Sequence, residues 1–294
     1  MCTGRHTAAP YFFEVKLMKL LTLNTHSLQG KDYPEKLALF VKAVCDLRPD
    51  LIAMQEVNQT MTAAPASRSM LKSYVPVPGH QIPVLEDNHA LRAAAYFQSA
   101  GLSCSWTWLP VKRGYRKYDE GLALFSFRHP IVETSAILLS PRDDYEDWKT
   151  RKALGVRLEG MPGWFYSVHT GWWKDGFPEQ WSALERVVAE KRKDGPIWLL
   201  GDFNAPAHIQ GESYDLVRNS GWLDTCLLAE EADGGVTVQG PIDGWPDQRE
   251  GLRIDYIWCS EKLPVTRSQV MFNGTNGPVV SDHFGVLLEV KEEL

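Results

Sequence analysis

The sequence predicts one α/β domain built of stacked layers. Apolar runs of strand length recur through all 294 residues, and several end on Asn, Glu, His or Asp. Segments of helical periodicity are mixed among them from one end to the other, as layered α/β folds require. No repeat, low-complexity tract or shift in composition marks an internal boundary.

Val15–Leu23 is rich in β-formers and ends at Asn24. Pro34 opens a helix, because its fixed φ suits a first turn and its missing N–H is not needed there. Leu37, Phe40, Val41, Val44 and Leu47 share one face of that helix, and Arg48-Pro49-Asp50 ends it. Leu51–Gln55 is a short buried strand delivering Glu56. Residues 60–86 lack periodicity and read as an irregular excursion. Asp87 is placed to cap a helix that runs to Ala100 and stops at Gly101. Strands follow at Cys104–Leu109, Leu122–Phe127, Ile131–Leu139, Ala153–Leu158 and Trp164–Val168, the last two joined by Met161-Pro162-Gly163. Pro178 begins a second helix with Trp181, Leu184, Val187 and Val188 on one face. Ile197–Leu200 is again a short buried strand, Glu212–Ser220 a helix, and 230–253 a long loop rich in Gly, Asp and Pro. Ile254–Cys259, Pro264–Phe272 and Phe284–Val290 are closing strands. Because Met18-Lys19 starts the well-patterned part of the first strand, Met1–Leu17 is expected to be a disordered N-terminal extension and 18–294 one domain.

Hydrophobic residues make up 44% of the chain and charged residues 23%, which supports a large core and excludes a disordered class. A net charge of -6 gives no global attraction to nucleic acid. The five cysteines are widely spaced with no C-x-x-C, as expected for reduced thiols in the cytoplasm. No apolar run reaches the roughly 20 residues that would cross a bilayer, so no membrane partner is expected.

The chemistry-bearing residues sit at strand ends. Asp202 and Asn204, in Gly201-Asp202-Phe203-Asn204, would share a face if the strand continued. A carboxylate beside an amide suits an attacking water: the first takes its proton and the second fixes its lone pair. Glu56 offers hard oxygens to Mg²⁺ or Mn²⁺. Asp282 and His283 add a carboxylate and an imidazole, and Asp255 is placed to orient His283. His169 ends another strand and can donate to a phosphoryl oxygen, with Glu120 as its expected orienting partner. Taken singly, a G-D-x-N is more often a turn, an S-D-H a cap, and a lone Glu or His an ordinary surface or half-buried residue. Their joint occurrence at successive strand ends favours a metal-dependent phosphoester hydrolase.

In order, Leu23-Asn24, Gln55-Glu56-Val57, Glu120-Gly121-Leu122-Ala123, Ser167-Val168-His169, Gly201-Asp202-Phe203-Asn204, Arg253-Ile254-Asp255-Tyr256 and Ser281-Asp282-His283 resemble the motif set of the endonuclease/exonuclease/phosphatase superfamily, the deoxyribonuclease-I-like fold. The resemblance spans about Lys19 to Val290. It implies a four-layered α/β (α+β) sandwich, two packed mixed β-sheets flanked by helices. It also implies roles: Glu56 as the principal metal ligand with Asn24 and Asp282 near the metal, Asp202 and Asn204 at the water, and His169 and His283 on phosphate, supported by Glu120 and Asp255.

The superfamily takes many phosphoesters, so the fold does not select a substrate. Three features bear on it: the acidic balance, eleven tryptophans, and two basic clusters at 112–117 and 148–152. Trp106, Trp108 and Trp181 read as core. Trp172 and Trp173 directly follow the His169 region, and Trp245 lies in the long loop, so these three are expected to stack on a sugar ring or base. Arg116 and Lys152 are the expected substrate contacts from the basic clusters. Leu23-Asn24-Thr25-His26-Ser27, Asp119-Glu120-Gly121, His169-Thr170-Gly171-Trp172-Trp173, Ile242-Asp243-Gly244-Trp245 and Val279-Val280-Ser281-Asp282-His283 resemble the bacterial maltose 6′-phosphate phosphatase branch. That resemblance implies a phosphorylated sugar as partner. A nuclease of the same fold is the alternative, with nucleic acid the less favoured partner, and a non-catalytic binding module is the third reading.

Overall fold

Two β-α-β crossovers, one in each half of the chain, set the architecture. In the computed structural model, which describes residues 16–242, 244–246 and 249–292, strand β1 (Leu17–Asn24) passes through helix α1 (Tyr33–Leu47) into β2 (Leu51–Thr60), and the two strands pair in parallel. Helix α2 (His89–Ser99), strands β3 (Ser105–Gly114) and β4 (Tyr118–Ser126), then β5 (Ile131–Leu138) and β6 (Lys152–Leu158) follow. The second crossover runs from β7 (Trp164–His169) through α3 (Phe177–Lys191) to β8 (Ile197–Asp202), again parallel. The chain continues through α4 (Ser213–Asn219), β9 (Leu223–Asp224), α5 (Thr225–Leu228), β10 (Glu231–Ala232), β11 (Asp255–Cys259), β12 (Val265–Met271) and β13 (Gly285–Lys291). Of the proposed extension, only Lys16 and Leu17 fall among the described residues, and Leu17 begins β1.

The strands form a seven-stranded sheet ordered β10-β12-β13-β1-β2-β4-β3 and a six-stranded sheet ordered β5-β6-β7-β8-β11-β9, both mixed. The period-2 pleat sorts side chains between layers. Leu20, Leu51, Ala53, Leu122 and Leu124 of the first sheet meet Leu154, Val156, Phe165, Trp198, Leu200 and Ile257 of the second. Their neighbours Leu21, Leu23, Ile52 and Met54 point the other way, onto Phe40, Val41 and Val44 of α1 and Phe97 of α2. On the far side, Tyr166, Val168, Ile197 and Leu199 pack on Phe177, Trp181, Leu184 and Val188 of α3. The order helix, sheet, sheet, helix gives the four expected layers.

Local sequence explains the element ends. Pro34 lies in the first turn of α1, and Arg48 closes it in the left-handed region, its N–H donating to the Val44 carbonyl at 2.9 Å. Helix α2 is capped by Asn88, which accepts from Leu91 N at 3.1 Å. The Asp87 carboxylate instead accepts from Thr60 N, at 3.0 and 3.1 Å. Trp106, Trp108 and Trp181 are core, at 0%, 0% and 3% exposure. Among the described residues no helix is long and apolar enough to cross a membrane, and Cys45, Cys104, Cys226 and Cys259 are unpaired.

Candidate active site

The site forms where the C-terminal ends of β1, β7 and β8 meet a bulge in β2 across the seam between the sheets. Asn24 is in register with Gln55, and His169 with Asp202. A buried polar rivet joins the sheets beneath them: Gln55 Nε2 donates to Ser167 Oγ at 2.9 Å, and Ser167 Oγ donates to the Met54 carbonyl at 3.0 Å. Gly201, at φ 152°, is required just before Asp202, because a Cβ there would collide with the Val168 carbonyl. Glu56 sits inside β2 rather than at its end. A bulge between Met54 and Val57 sets it at φ 53° and turns it out of the ladder toward the cavity.

Asn24 links the two halves of the site. Its Nδ2 donates to Glu56 Oε1 at 3.0 Å and to Asp202 Oδ2 at 3.1 Å. In this arrangement Asn24 orients the carboxylates by donation rather than offering an oxygen. His26 Nδ1 stands 3.5 Å from Glu56 Oε2 and 3.4 Å from Asp282 Oδ2. Burial works against the Glu56 charge, but the hydrogen bonds from His26 and Asn24 outweigh it and hold the carboxyl well below its ordinary value. Bonding to Glu56 raises His26 in turn.

Asp202 is 2% exposed and lies at the centre. Its Oδ1 accepts from Asn204 N at 2.8 Å, and its Oδ2 is 3.6 Å from His169 Nε2 and 3.8 Å from His283 Nε2. Strand β8 ends at Asp202, and Asn204 is left-handed at φ 47°. The two side chains therefore converge through a turn, not through the pleat expected from the sequence. Asn204 Nδ2 is itself pinned by the Thr170 carbonyl at 2.9 Å. His283 Nδ1 meets both Asp255 oxygens, at 3.2 and 3.0 Å, which leaves Nε2 facing Asp202. Ser281 ties this segment to β1 by donating to the Asn24 carbonyl at 2.7 Å.

Burial and the nearby Asp255 charge push the Asp202 carboxyl up to about 7. Burial opposes a charged His283, yet Asp255 and Asp202 prevail and raise it to about 10. Burial, with Arg151 and Lys112 beside it, holds His169 well below its ordinary value. The site thus pairs one neutral with one cationic imidazole around a carboxylate poised near neutrality.

Two groupings bear on a divalent cation. Asp202, Asp255 and His283 offer ligand atoms within 4.8 Å of one another. In that trio, however, Nδ1 is committed to Asp255 and Nε2 faces Asp202, the arrangement of a hydrogen-bonded relay. Glu56 and Asp282 are the better fit: hard carboxylate oxygens, 20% and 40% exposed in their side chains, both at the cavity and both beside His26.

A cavity of 1170 Å³ opens over these groups. Of the expected residues, Glu56, Glu120, His169, Asp202, Asn204, Asp282, His283, Trp172 and Arg116 line it, with Asn24 and Asp255 buried directly behind. Glu120 pairs with Lys112 Nζ at 3.1 Å and makes no hydrogen bond to His169 among the described residues. Trp173 does not line the cavity; it turns away to pack on Phe177, with ring centroids 6.3 Å apart. Trp245 does not line the cavity; it stands edge-on to Trp172, with ring centroids 6.1 Å apart. Lys152 does not reach the cavity either; it pairs with Asp143 at 2.8 Å. The residues that sequence reading passed over are His26, Trp148 and Arg151. Each adjoins a motif or cluster already singled out, which was the only signal available.

A family model described as Endonuclease/Exonuclease/phosphatase family matches residues 21–283. Among solved structures, an endonuclease/exonuclease/phosphatase family protein from Leptotrichia buccalis C-1013-b is similar with TM-score 0.79 and 27% identity, over 94% of this chain and 100% of that chain. A mannosyl-6-phosphatase from Bacteroides thetaiotaomicron VPI-5482 has TM-score 0.64 and 19% identity over 94% and 100%. A 3′ phosphatase from Neisseria bound to a product DNA hairpin has TM-score 0.62 and 21% identity over 94% and 100%. No curated protein matches the chain.

Proposed function

The chain belongs to the endonuclease/exonuclease/phosphatase family, and from that premise we propose that it is a divalent-metal-dependent phosphatase of a small phosphorylated sugar, such as maltose 6′-phosphate. One observation carries the choice of substrate. Trp172 lines the cavity that holds His169 and Asp202, and its buried indole N–H has no acceptor among the described residues. Trp148 flanks it at 6.0 Å and Trp245 stands edge-on to it. An indole face at the cavity wall suits a pyranose ring. The net charge of -6 favours a small ligand over a nucleic-acid duplex. Unpaired cysteines support a reducing, cytoplasmic setting.

In this reading Asp202 takes the proton of the attacking water, and Asn204 directs that water toward phosphorus. His283, held cationic by Asp255, donates from Nε2 to a phosphoryl oxygen, and neutral His169 donates to another. Mg²⁺ or Mn²⁺ at Glu56 and Asp282 would neutralise charge growing on the phosphoryl oxygens. Trp172 holds the sugar so that the ester bond faces Asp202.

Phosphate release from a panel of phosphorylated mono- and disaccharides, with and without EDTA and alongside plasmid DNA, tests the proposal. Metal-dependent release from a sugar phosphate is expected. Nicking of DNA without phosphate release would favour the nuclease reading, and no hydrolysis of any phosphoester would favour a binding module.

A further inference from the structure

The segment leading into β6 carries a cation that the protein leaves unmatched. Arg151 is only 4% exposed. Among the described residues no carboxylate lies within 4.0 Å of it. One guanidinium nitrogen donates to the Trp148 and Thr150 carbonyls, at 2.8 and 3.1 Å, while Nε is buried with no acceptor among the described residues. Lys112, 8% exposed, donates to the same Trp148 carbonyl at 3.1 Å and takes the Glu120 carboxylate. Two buried cations therefore share one counterion. A buried, unmatched charge destabilises a fold, and its persistence calls for a ligand that completes it.

The position of Arg151 says which ligand. It lines the cavity with Glu56, His169, Asp202 and His283, and its field reaches Glu56, Asp202 and His169. The two histidines and the metal pair already serve the phosphoryl group in the reading above. A phosphate monoester carries about -1.5 to -2 charge near pH 7 and has three terminal oxygens. A diester has two terminal oxygens and a single charge. We propose that Arg151 is a specificity-determining residue: its guanidinium binds the third terminal oxygen of a phosphate monoester, and the site thereby prefers monoesters to diesters. This rests on the phosphatase reading of the site. A planar guanidinium suits the task because its donors form a fixed fork that matches phosphate oxygens.

Arg151→Met and Arg151→Lys, assayed with Mg²⁺ on p-nitrophenyl phosphate and bis(p-nitrophenyl) phosphate, test it. Inorganic phosphate binding by calorimetry and unliganded melting temperature are measured beside them. Arg151→Met is expected to lower kcat/KM on the monoester by about 10²-fold, to leave the diester nearly unchanged, and to weaken phosphate binding by roughly 10–100-fold. Its unliganded melting temperature should equal or exceed the wild type, because an unmatched charge has been removed. Arg151→Lys should recover part of the phosphate binding and little of the monoester rate. Equal losses on both esters, unchanged phosphate binding, or a lowered melting temperature with equal losses would mark a structural arginine and overturn the proposal. If the Met variant does not fold, equal losses in the Lys variant overturn it in the same way. A wild type that cleaves only the diester overturns the phosphatase reading and this proposal together; a wild-type monoesterase whose variants lose both activities alike overturns this proposal alone.

Discussion

Asp255→Asn isolates the group on which His283 depends. The Asp255 carboxylate is 1% exposed and meets His283 Nδ1 with both oxygens, at 3.2 and 3.0 Å. Together with Asp202 it raises His283 from 6.5 to about 10 against the opposing effect of burial, a difference worth on the order of 5 kcal/mol. The amide keeps one acceptor and relieves the repulsion between Asp255 and Asp202, so the net loss of stability falls near the lower end of the usual range for a broken buried pair, about 3 kcal/mol. In a domain this large that lowers the melting temperature by roughly 6–10 °C. The sign follows from proton binding. Between pH 6.5 and about 10 the native wild type holds a proton on His283 that the unfolded chain has lost. The stabilisation is therefore complete below 6.5 and disappears as pH rises through about 10. Melting curves in EDTA should show the wild type well above Asp255→Asn at pH 6, with the gap closing toward pH 10. Turnover should fall about 10–100-fold, as when an orienting partner of a functional histidine is lost. A gap that stays constant across that range, or near-normal turnover, would refute the assignment of Asp255 as the support of a cationic His283.

Asp202→Asn should lower turnover by about 10²–10³-fold with the fold intact, since the amide can still accept from Asn204 N. Because the Asp202 carboxyl is raised to about 7, its base form is lost as pH falls, so the wild-type rate should decline below neutrality along a limb that the Asn variant lacks. EDTA should abolish hydrolysis and Mg²⁺ restore it, while Glu56→Gln should raise the Mg²⁺ needed for half-maximal rate by roughly tenfold or more; an unchanged requirement would move the metal away from Glu56. Trp172→Ala should raise KM for a sugar phosphate about tenfold with a much smaller effect on p-nitrophenyl phosphate. Gly244→Ala should act in the same direction, because φ is 88° and a Cβ there would collide with the Trp172 indole.

Strand ends were legible because buried strands are short apolar runs, and the first polar residue after each run stands out. That placed Asn24, His169 and Asp202 correctly. Glu56 illustrates the limit: β2 continues to Thr60 past its bulge, and the buried Asn58 and Gln59 look like loop residues in sequence. Side-chain direction was harder still. Arg151 and Lys152 are neighbours with the same charge, yet one faces the cavity and the other reaches Asp143. A one-residue offset reverses the face, and nothing in a basic cluster reveals the register. Trp172 and Trp173 divide similarly, because Trp172 is extended and Trp173 enters a 3₁₀ turn. The long loop offers only Trp245 as a functional candidate in sequence, but Thr237 within it accepts from Asp255 N, and its carbonyl accepts from Phe284 N, so it fixes both partners of the relay. Such contacts span tens of residues and leave no local pattern.

The arrangement of the two crossovers explains why this chemistry gathers at one place. In a parallel β-α-β unit both strands point their C-terminal ends the same way, so each sheet presents two adjacent ends at one edge of its central pair. The first unit contributes Asn24 and the bulged Glu56; the second contributes His169 and Asp202. Packing the sheets face to face brings these ends together over the seam, where Asn24 Nδ2 bridges Glu56 and Asp202. The two units carry different chemistry, with Glu56, the proposed cation ligand, on the first and Asp202, the proposed base, on the second. A shift of one sheet relative to the other would therefore separate the cation from the water without unfolding either sheet. The Gln55–Ser167–Met54 rivet opposes that shift. This gives a buried polar bridge, costly to place in a core, a role in alignment that apolar packing alone would not supply.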